Sequence, residues 1–138
     1  MRQGELVFVD SGAWIALALS RDPFHGRARE QWDLLQGAGA KLHTSVPVAI
    51  ETFTFLDRNA NRDVALAWKD AVYKGGNVKI LPCELRDLEQ AWSFFRRHDL
   101  HKLSAVDATS FAIMKRAQIR LAYSFDHHFA VVGFRLVT

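Results

Sequence analysis

The chain is predicted to form a single α/β domain, residues 1–138, with helices on both faces of a parallel sheet, and three observations indicate this fold. Short apolar runs alternate with segments in which apolar residues recur at helical spacing. No two-residue hairpin turn joins two of the apolar runs. The 138 residues are 49% hydrophobic and 24% charged, which is the size and composition of one globular domain. Strands separated by helices pair in parallel, because each helix returns the chain to the same edge of the sheet.

Two strands and four helices are predicted in the first half of the chain. They are, in order, a strand at residues 6–9, a helix after Ser11, a helix between Pro23 and Gly37, a strand at 41–45, a helix that opens at Pro47 and a helix that ends at Gly75. The strands are short apolar or β-compatible runs, LVFV and KLHTS. The helices carry apolar residues three or four positions apart, such as Ala28, Trp32 and Leu35, and proline or glycine marks their ends.

Three strands and two helices are predicted in the second half. They are, in order, a strand at 77–81, a helix over 85–95, a helix from Ala105, a strand at 120–126 and a last strand at 134–137. Leu88, Trp92 and Phe95 lie on one side of the predicted helix over 85–95. The stretch RRHDLHKLS at 96–104 has no apolar period, so it is predicted to be a basic loop between the two helices.

Four acidic residues are predicted to meet at one edge of this sheet. Asp10 and Asp126 each end a predicted strand, whereas Glu51 and Asp107 each lie near the start of a predicted helix. The carboxyl ends of parallel strands face a crevice in which ligands bind. Each aspartate also has a purely structural interpretation, because Asp at a helix start caps the helix or interacts with its dipole. Glu51 has no such role, and a carboxylate on so apolar a helix is rarely buried without a partner.

A cluster of four carboxylates requires neutralisation. Two like charges about 5 Å apart repel by roughly 3 kcal/mol at an effective dielectric constant of 20. Oxygen ligands without thiolates suit Mg²⁺ or Mn²⁺, and such an ion activates water for phosphodiester hydrolysis. The histidines at 98, 101, 127 and 128 raise zinc as an alternative, but their spacing is not that of a zinc site. From the residues alone, a metal site and helix capping both stay open.

The charge of the chain favours a nucleic-acid substrate. The sequence has 18 Lys and Arg against 15 Asp and Glu, a net charge of +3 at pH 7. If four acids gather at one site, the remaining surface is more basic than this total. Arg96, Arg97 and Lys102 lie in the loop that leads to Asp107, where they either contact phosphates or form a solvated helix end.

The sequence gives no indication of export or membrane insertion. No apolar run reaches about 18 residues, and the N-terminal MRQGEL lacks the apolar core of a signal peptide. The single cysteine, Cys83, cannot form an internal disulfide, which is typical of a reducing compartment. We therefore expect a soluble, cytoplasmic protein that does not associate with a membrane.

Four motifs resemble those of the PIN domain family, most closely the VapC-type toxins of bacterial and archaeal toxin–antitoxin pairs. They are VFVDSGAWIAL around Asp10, PVAIETFTFL around Glu51, LSAVDATSFAIM around Asp107 and SFDHHF around Asp126. Their order and spacing agree with the family over nearly the whole chain. Each motif alone is a weak signal, but the four in sequence are specific.

The resemblance implies a five-stranded parallel sheet in the order 3-2-1-4-5 and a Mg²⁺- or Mn²⁺-dependent endoribonuclease. Its catalytic, metal-binding acids would be Asp10, Glu51, Asp107 and Asp126, and its supporting hydroxyls would be those of Ser11 and Ser124. His127 stands where the family often has Arg, and the expected contacts to the RNA are those of Arg96, Arg97, Lys102 and His127. The resemblance also implies a small antitoxin as partner and a homodimer.

Two other functions are open at this stage. A catalytically inactive PIN-fold module would bind RNA or a protein, but a cluster of acids that repels phosphate would not help it. A phosphotransfer domain with an aspartyl nucleophile usually has a second acid or a distant lysine beside its first strand, and the segment DSGAW offers neither. The metal-dependent ribonuclease is therefore the favoured interpretation.

Overall fold

A computed structural model describes residues 2–138 and contains one five-stranded sheet. Its strands are β1 (Leu6–Val9), β2 (Lys41–Ser45), β3 (Val78–Leu81), β4 (Leu121–Tyr123) and β5 (Arg135–Leu136). All neighbouring strands pair in parallel, and their order is β3-β2-β1-β4-β5. The predicted α/β fold with sheet order 3-2-1-4-5 is thus confirmed.

Seven helices connect the strands within the described residues. They are α1 (Ser11–Ala18), α2 (His25–Gly37), α3 (Val46–Asn59), α4 (Arg62–Lys74), α5 (Leu85–Phe94), α6 (Ala105–Ala117) and α7 (His128–Val131). None of them is long and apolar enough to cross a membrane. Side-chain oxygens of Ser45, Asn61 and Ser104 accept backbone N–H groups at the starts of α3, α4 and α6, which fixes where these helices begin.

The middle strand β1 is the most deeply buried part of the sheet. Val7, Phe8 and Val9 have no exposed surface, because β1 lies between β2 and β4 and helices cover both faces. A strand buried on both sides is a continuous apolar run rather than an alternating one, as LVFV is. Val9 pairs with Tyr123 of β4, so the residues that follow these two strands emerge side by side.

The structure differs from the sequence prediction at the start of α2, at the end of β4 and in the segment that follows β4. Pro23 lies in the turn before α2 rather than inside its first turn, since the helix begins at His25. β4 ends at Tyr123, three residues before Asp126, because the Ser124 hydroxyl accepts the backbone N–H of Asp126 and forms a turn there. The short helix α7 was not predicted. It leaves only Arg135–Leu136 of the predicted last strand in the sheet.

Candidate metal centre

A cleft of about 530 Å³ opens at the carboxyl ends of β1 and β4, and all four predicted acids line it. Asp10 follows β1, and Asp126 lies in the turn between β4 and α7. Glu51 projects from α3 and Asp107 from the first turn of α6. The acids therefore reach one cleft from four separate elements, as the carboxyl edge of a parallel sheet allows.

Asp10 is held by a hydrogen bond from another strand end rather than by its own helix. Its Oδ2 accepts the hydroxyl of Ser124 at 2.9 Å, and its side chain makes no capping bond to α1. Asp10 thus occupies the N-cap position of α1, but its carboxylate does not cap the helix. Its Oδ1 is buried and has no hydrogen-bond partner. Burial raises the pKa of Asp10 to about 6; the Ser124 bond opposes this rise, and the charges of Glu51 and Asp126 add to it.

Glu51 is positioned by the second predicted serine. The hydroxyl of Ser11 donates to Oε1 of Glu51 at 2.5 Å, across 40 residues of sequence. This bond connects the first turn of α1 to the middle of α3. Ser11 and Ser124 thus each donate a hydrogen bond to one of the acids, and their supporting role at a metal site stays a prediction.

Asp107, Asp126 and His128 form a tight group of possible metal ligands, and the first two of them line the cleft. Each offers one ligand atom, and these atoms lie within 4.8 Å of one another. Burial raises the pKa of Asp107 to about 9, with contributions from the charge of Asp10 and a hydrogen bond to Asp126. Burial would also raise the pKa of Asp126, but hydrogen bonds from the His128 backbone and from Asp107 hold it below the usual value. Burial and the neighbouring acids thus favour the protonated form of Asp107.

Comparison with known proteins identifies the family to which this site belongs. A family model described as the PIN domain matches residues 7–135. The chain belongs to the PIN domain family. The 23S rRNA-specific endonuclease VapC20 of Mycobacterium tuberculosis is 38% identical over 130 residues, which cover 94% of this chain and 95% of that protein. The predicted family and the predicted enzyme class, a nuclease, are confirmed.

Solved structures of the family agree with the fold. The crystal structure of Mycobacterium tuberculosis VapC20, a Sarcin-Ricin loop cleaving toxin, superposes with a TM-score of 0.81 at 36% identity, covering 93% of this chain and 95% of that one. VapBC2 from Rickettsia felis, bound to a DNA fragment from its promoter, gives a TM-score of 0.71 over 95% and 96% of the two chains. At 8% identity, that second likeness shows the fold alone.

The two adjacent histidines of this PIN domain have different surroundings. His127 lines the cleft, and its side chain is 80% exposed. His128 is buried, its backbone N–H donates to Oδ1 of Asp126 at 2.9 Å, and its Nδ1 lies 3.1 Å from the same oxygen. His127 therefore faces the cleft and solvent, whereas His128 is buried beside Asp126. The burial of His128 could not be predicted from the run DHHF, because nothing in the spacing of two neighbouring histidines distinguishes the buried one from the exposed one.

The basic residues of the loop before α6 do not line this cleft, although Ser104 at the end of the loop does. Arg96, Arg97 and Lys102 are all exposed. Arg97 makes two hydrogen bonds to Asp99, at 2.9 and 2.7 Å, which occupy its guanidinium. The contact of these three residues with RNA stays a prediction, and it would require RNA that extends beyond the cleft.

The residues of the cleft fit a divalent cation of the hard, oxygen-binding type. Carboxylate oxygens dominate the donor set, which suits Mg²⁺ or Mn²⁺. The buried Oδ1 of Asp10 lacks a partner, and an acceptor left this way is destabilising unless a ligand satisfies it. Among residues 2–138, the group of His, Cys, Asp and Glu side chains close enough to share one ion is Asp107, Asp126 and His128; Asp10 and Glu51 line the same cleft but lie outside this group.

Proposed function

We propose that this PIN domain is a metal-dependent endoribonuclease that acts as a toxin. The observation that carries the proposal is the convergence of Asp10, Glu51, Asp107 and Asp126 on one cleft from four elements. A fold gains nothing in stability from such a group, because burial and mutual repulsion already raise the pKa values of Asp10 and Asp107. An arrangement that is unfavourable for folding is typical of a functional site.

The roles of the side chains follow from their contacts. Asp10, Glu51, Asp107 and Asp126 would hold Mg²⁺ or Mn²⁺. When bound, the cation lowers the pKa of water and neutralises charge on the phosphodiester. Ser124 and Ser11 keep Asp10 and Glu51 in place through their hydrogen bonds. His128, bonded to Asp126, orients that carboxylate in the same manner.

The substrate we propose is ribosomal RNA. The relation to a 23S rRNA-specific endonuclease extends over 94% of the chain and supports this target. The charge distribution supports it too: without the four acids of the cleft, 18 basic residues face 11 acidic ones, an excess of seven positive charges over the rest of the protein. His127 at the rim of the cleft, with Arg96, Arg97 and Lys102 beyond it, would contact the phosphates.

A toxin of this kind needs a protein that keeps it inactive, and we propose a small antitoxin. Val46, Ile50 and Phe55 of α3 are exposed large apolar residues. They line an apolar groove that shares Glu51 and Phe55 with the cleft. A partner bound there would cover the acids. The proposed assembly is a homodimer, and a ribosomal RNA target places it in the cytoplasm.

Cleavage of a synthetic 23S Sarcin-Ricin loop RNA tests this function. Wild type should cut the RNA with Mg²⁺ or Mn²⁺ and stop when EDTA is added. Asp10→Asn should fold and bind the RNA but not cut it, because the carboxylate is lost while its shape is kept. Cleavage in EDTA, or normal cleavage by Asp10→Asn, would exclude the mechanism. A folded wild type that binds RNA under every metal condition without cutting it would favour the inactive RNA-binding module instead.

A further inference from the structure

Two phenylalanine rings are stacked on the wall of the acidic cleft. The rings of Phe24 and Phe125 have centroids 4.6 Å apart and planes inclined by only 9°. Both residues line the cleft, and Phe125 directly precedes Asp126. Phe24 is 46% exposed although its ring is covered on one side by Phe125. An aromatic ring therefore lies open to solvent in the cleft that contains the acids.

The stacked pair is rigidly attached to the core. Phe125 meets Tyr123 edge to face, with centroids 6.4 Å apart and planes inclined by 68°. Tyr123 is fully buried in β4, and its hydroxyl donates to the carbonyl of Ala28. The backbone N–H of Phe24 donates to Oδ1 of Asp22 at 2.8 Å. These contacts restrain the ring of Phe125 and the backbone of Phe24 before any ligand binds, which reduces the conformational entropy lost on binding.

We propose that Phe24, supported by Phe125, stacks on an unpaired nucleobase of the RNA beside the bond that is cut. This inference rests on the proposed nuclease function and names a contact that determines substrate position. Proteins recognise single-stranded RNA by stacking splayed bases on aromatic side chains. A ring already paired in a nearly parallel stack presents its remaining face for one more planar group.

The surroundings of the ring favour a nucleotide over a protein segment. A nucleotide joins a flat, apolar base to a charged phosphate, and this cleft places an exposed aromatic ring beside a cation-binding set of carboxylates. An apolar protein side chain would match the ring but not the acids. Stacking also tolerates any base, so Phe24 would fix the position of the RNA, while the sequence would be read elsewhere.

The test combines removal of the ring with removal of the base. Phe24→Ala and Phe24→Leu remove the aromatic face, whereas Phe24→Trp keeps it. The control is Tyr73→Ala, which removes an even more exposed aromatic ring from α4, outside the cleft. The probe is the Sarcin-Ricin loop RNA with a single abasic nucleotide placed in turn at each position around the cleavage site. Thermal melts establish that each variant is folded.

On intact RNA, Phe24→Ala and Phe24→Leu should raise KM by roughly five- to a hundredfold, the range found for loss of one stacked base. Phe24→Trp should restore wild-type KM, and Tyr73→Ala should not change it. At one abasic position, the KM of wild type should rise by the same factor, whereas the KM of Phe24→Ala should not rise further. A merely structural role for Phe24 would not produce this coupling to a single base.

Binding measurements separate this proposal from the nuclease itself. In the Asp10→Asn background, the affinity of the abasic RNA series is measured by fluorescence anisotropy, with and without Phe24→Ala. If wild type never cuts RNA but the binding coupling is present, the stacking contact stands and the nuclease function fails. If wild type cuts RNA and Phe24→Ala weakens binding by the same factor at every abasic position as on intact RNA, the stacking proposal is overturned. It is also overturned if Phe24→Ala leaves cleavage unchanged and only weakens a complex with an antitoxin.

Discussion

The hydroxyl of Ser124 donates a 2.9 Å hydrogen bond to Oδ2 of Asp10, although 114 positions separate the two residues in sequence. The same hydroxyl accepts the backbone N–H of Asp126 at 3.0 Å. Ser124 therefore links the acid after β1 to the acid after β4. The bond uses one oxygen of Asp10 and leaves the other, Oδ1, without a protein partner. A fixed carboxylate with one oxygen available is what a metal ligand requires.

Replacing Ser124 by alanine should weaken the metal site without unfolding the protein. Loss of a residue that orients a metal ligand typically lowers metal affinity or activity by roughly 10- to 100-fold. We expect the Mn²⁺ concentration for half-maximal RNA cleavage to rise by such a factor. Ser93→Ala is the matched control, because the Ser93 hydroxyl bonds only to the carbonyl of Gln90 on the exposed side of α5. An unchanged Mn²⁺ requirement in Ser124→Ala would contradict this role.

Replacing Asp10 by asparagine should stabilise the metal-free protein and remove most of its stabilisation by metal. Burial raises the pKa of Asp10 to about 6, which means that the fold disfavours the ionised form present at neutral pH. Asparagine has the same shape and no charge. In EDTA, the melting temperature of Asp10→Asn should exceed that of wild type.

Added Mn²⁺ should reverse this order. At a hundredfold excess over the dissociation constant, a cation that binds only the folded state stabilises it by about 2.7 kcal/mol. Wild type should show this gain, and Asp10→Asn should show much less of it. Equal metal-induced shifts in the two proteins would mean that Asp10 is not a ligand.

The sheet and the four acids could be predicted because they depend on local signals. β1 is an uninterrupted apolar run that ends in Asp10, and Glu51 interrupts an otherwise apolar helix face. These signals are present in the order of residues alone. The resemblance to a known family then supplied the strand order, which alternation of strands and helices does not determine.

Other features depend on contacts between residues far apart in sequence, and no local sequence pattern predicts them. β4 ends early because the Ser124 hydroxyl bonds to the backbone of Asp126, and α7 starts immediately after that turn. Burial of His128 follows from this geometry and not from its sequence neighbours. Likewise, the stack of Phe24 on Phe125 joins a turn before α2 to the turn after β4. Folding had to bring these segments together before the contact existed.

A homodimer is expected to form through α5. Trp92 and Phe95 are both about half exposed, and their ring centroids lie 6.3 Å apart. An exposed apolar patch of this kind is usually covered by a partner. No residue of α5 lines the acidic cleft, so association through this face would leave the cleft open to RNA. Light scattering at micromolar concentration should give twice the chain mass of 15.7 kDa.

The double variant Trp92→Glu, Phe95→Glu should be monomeric and still cleave RNA. Ile50→Glu on α3 serves as the control, because it changes an exposed apolar residue on another helix and should leave the dimer intact. A wild type that is monomeric, or a double variant that stays dimeric, would count against this interface. Ile50→Glu should instead weaken binding of the antitoxin beside Glu51.

A buried ion pair far from the cleft should set the acid limit of stability. The guanidinium of Arg116 in α6 donates to both carboxylate oxygens of Asp87 in α5, at 2.8 and 2.9 Å. The same guanidinium donates to the carbonyl of Pro82 at 3.1 Å, just after β3. The side chain of Asp87 is 3% exposed and that of Arg116 is 24% exposed. The pair thus connects three segments, and its acid is almost fully buried.

Arg116→Met should destabilise the protein at neutral pH by roughly 2–3 kcal/mol, because it leaves the Asp87 carboxylate buried without its charge partner. Burial of Asp87 by itself would raise its pKa, but the bonds from Arg116 outweigh burial and hold the pKa below the ordinary value of 3.8. A carboxyl group whose pKa is lower in the folded state stabilises the fold above its unfolded pKa and loses that contribution as the pH falls through the folded pKa. The difference in unfolding free energy between wild type and Arg116→Met should therefore be constant above about pH 5 and shrink below the ordinary Asp pKa.

Urea denaturation from pH 2.5 to 7, with Arg62→Met as the control for the exposed pair with Asp57, measures this difference. The control should change stability by less than about 1 kcal/mol at every pH. A pH-independent effect of Arg116→Met would show that the lost side chain acts by packing and not by its charge.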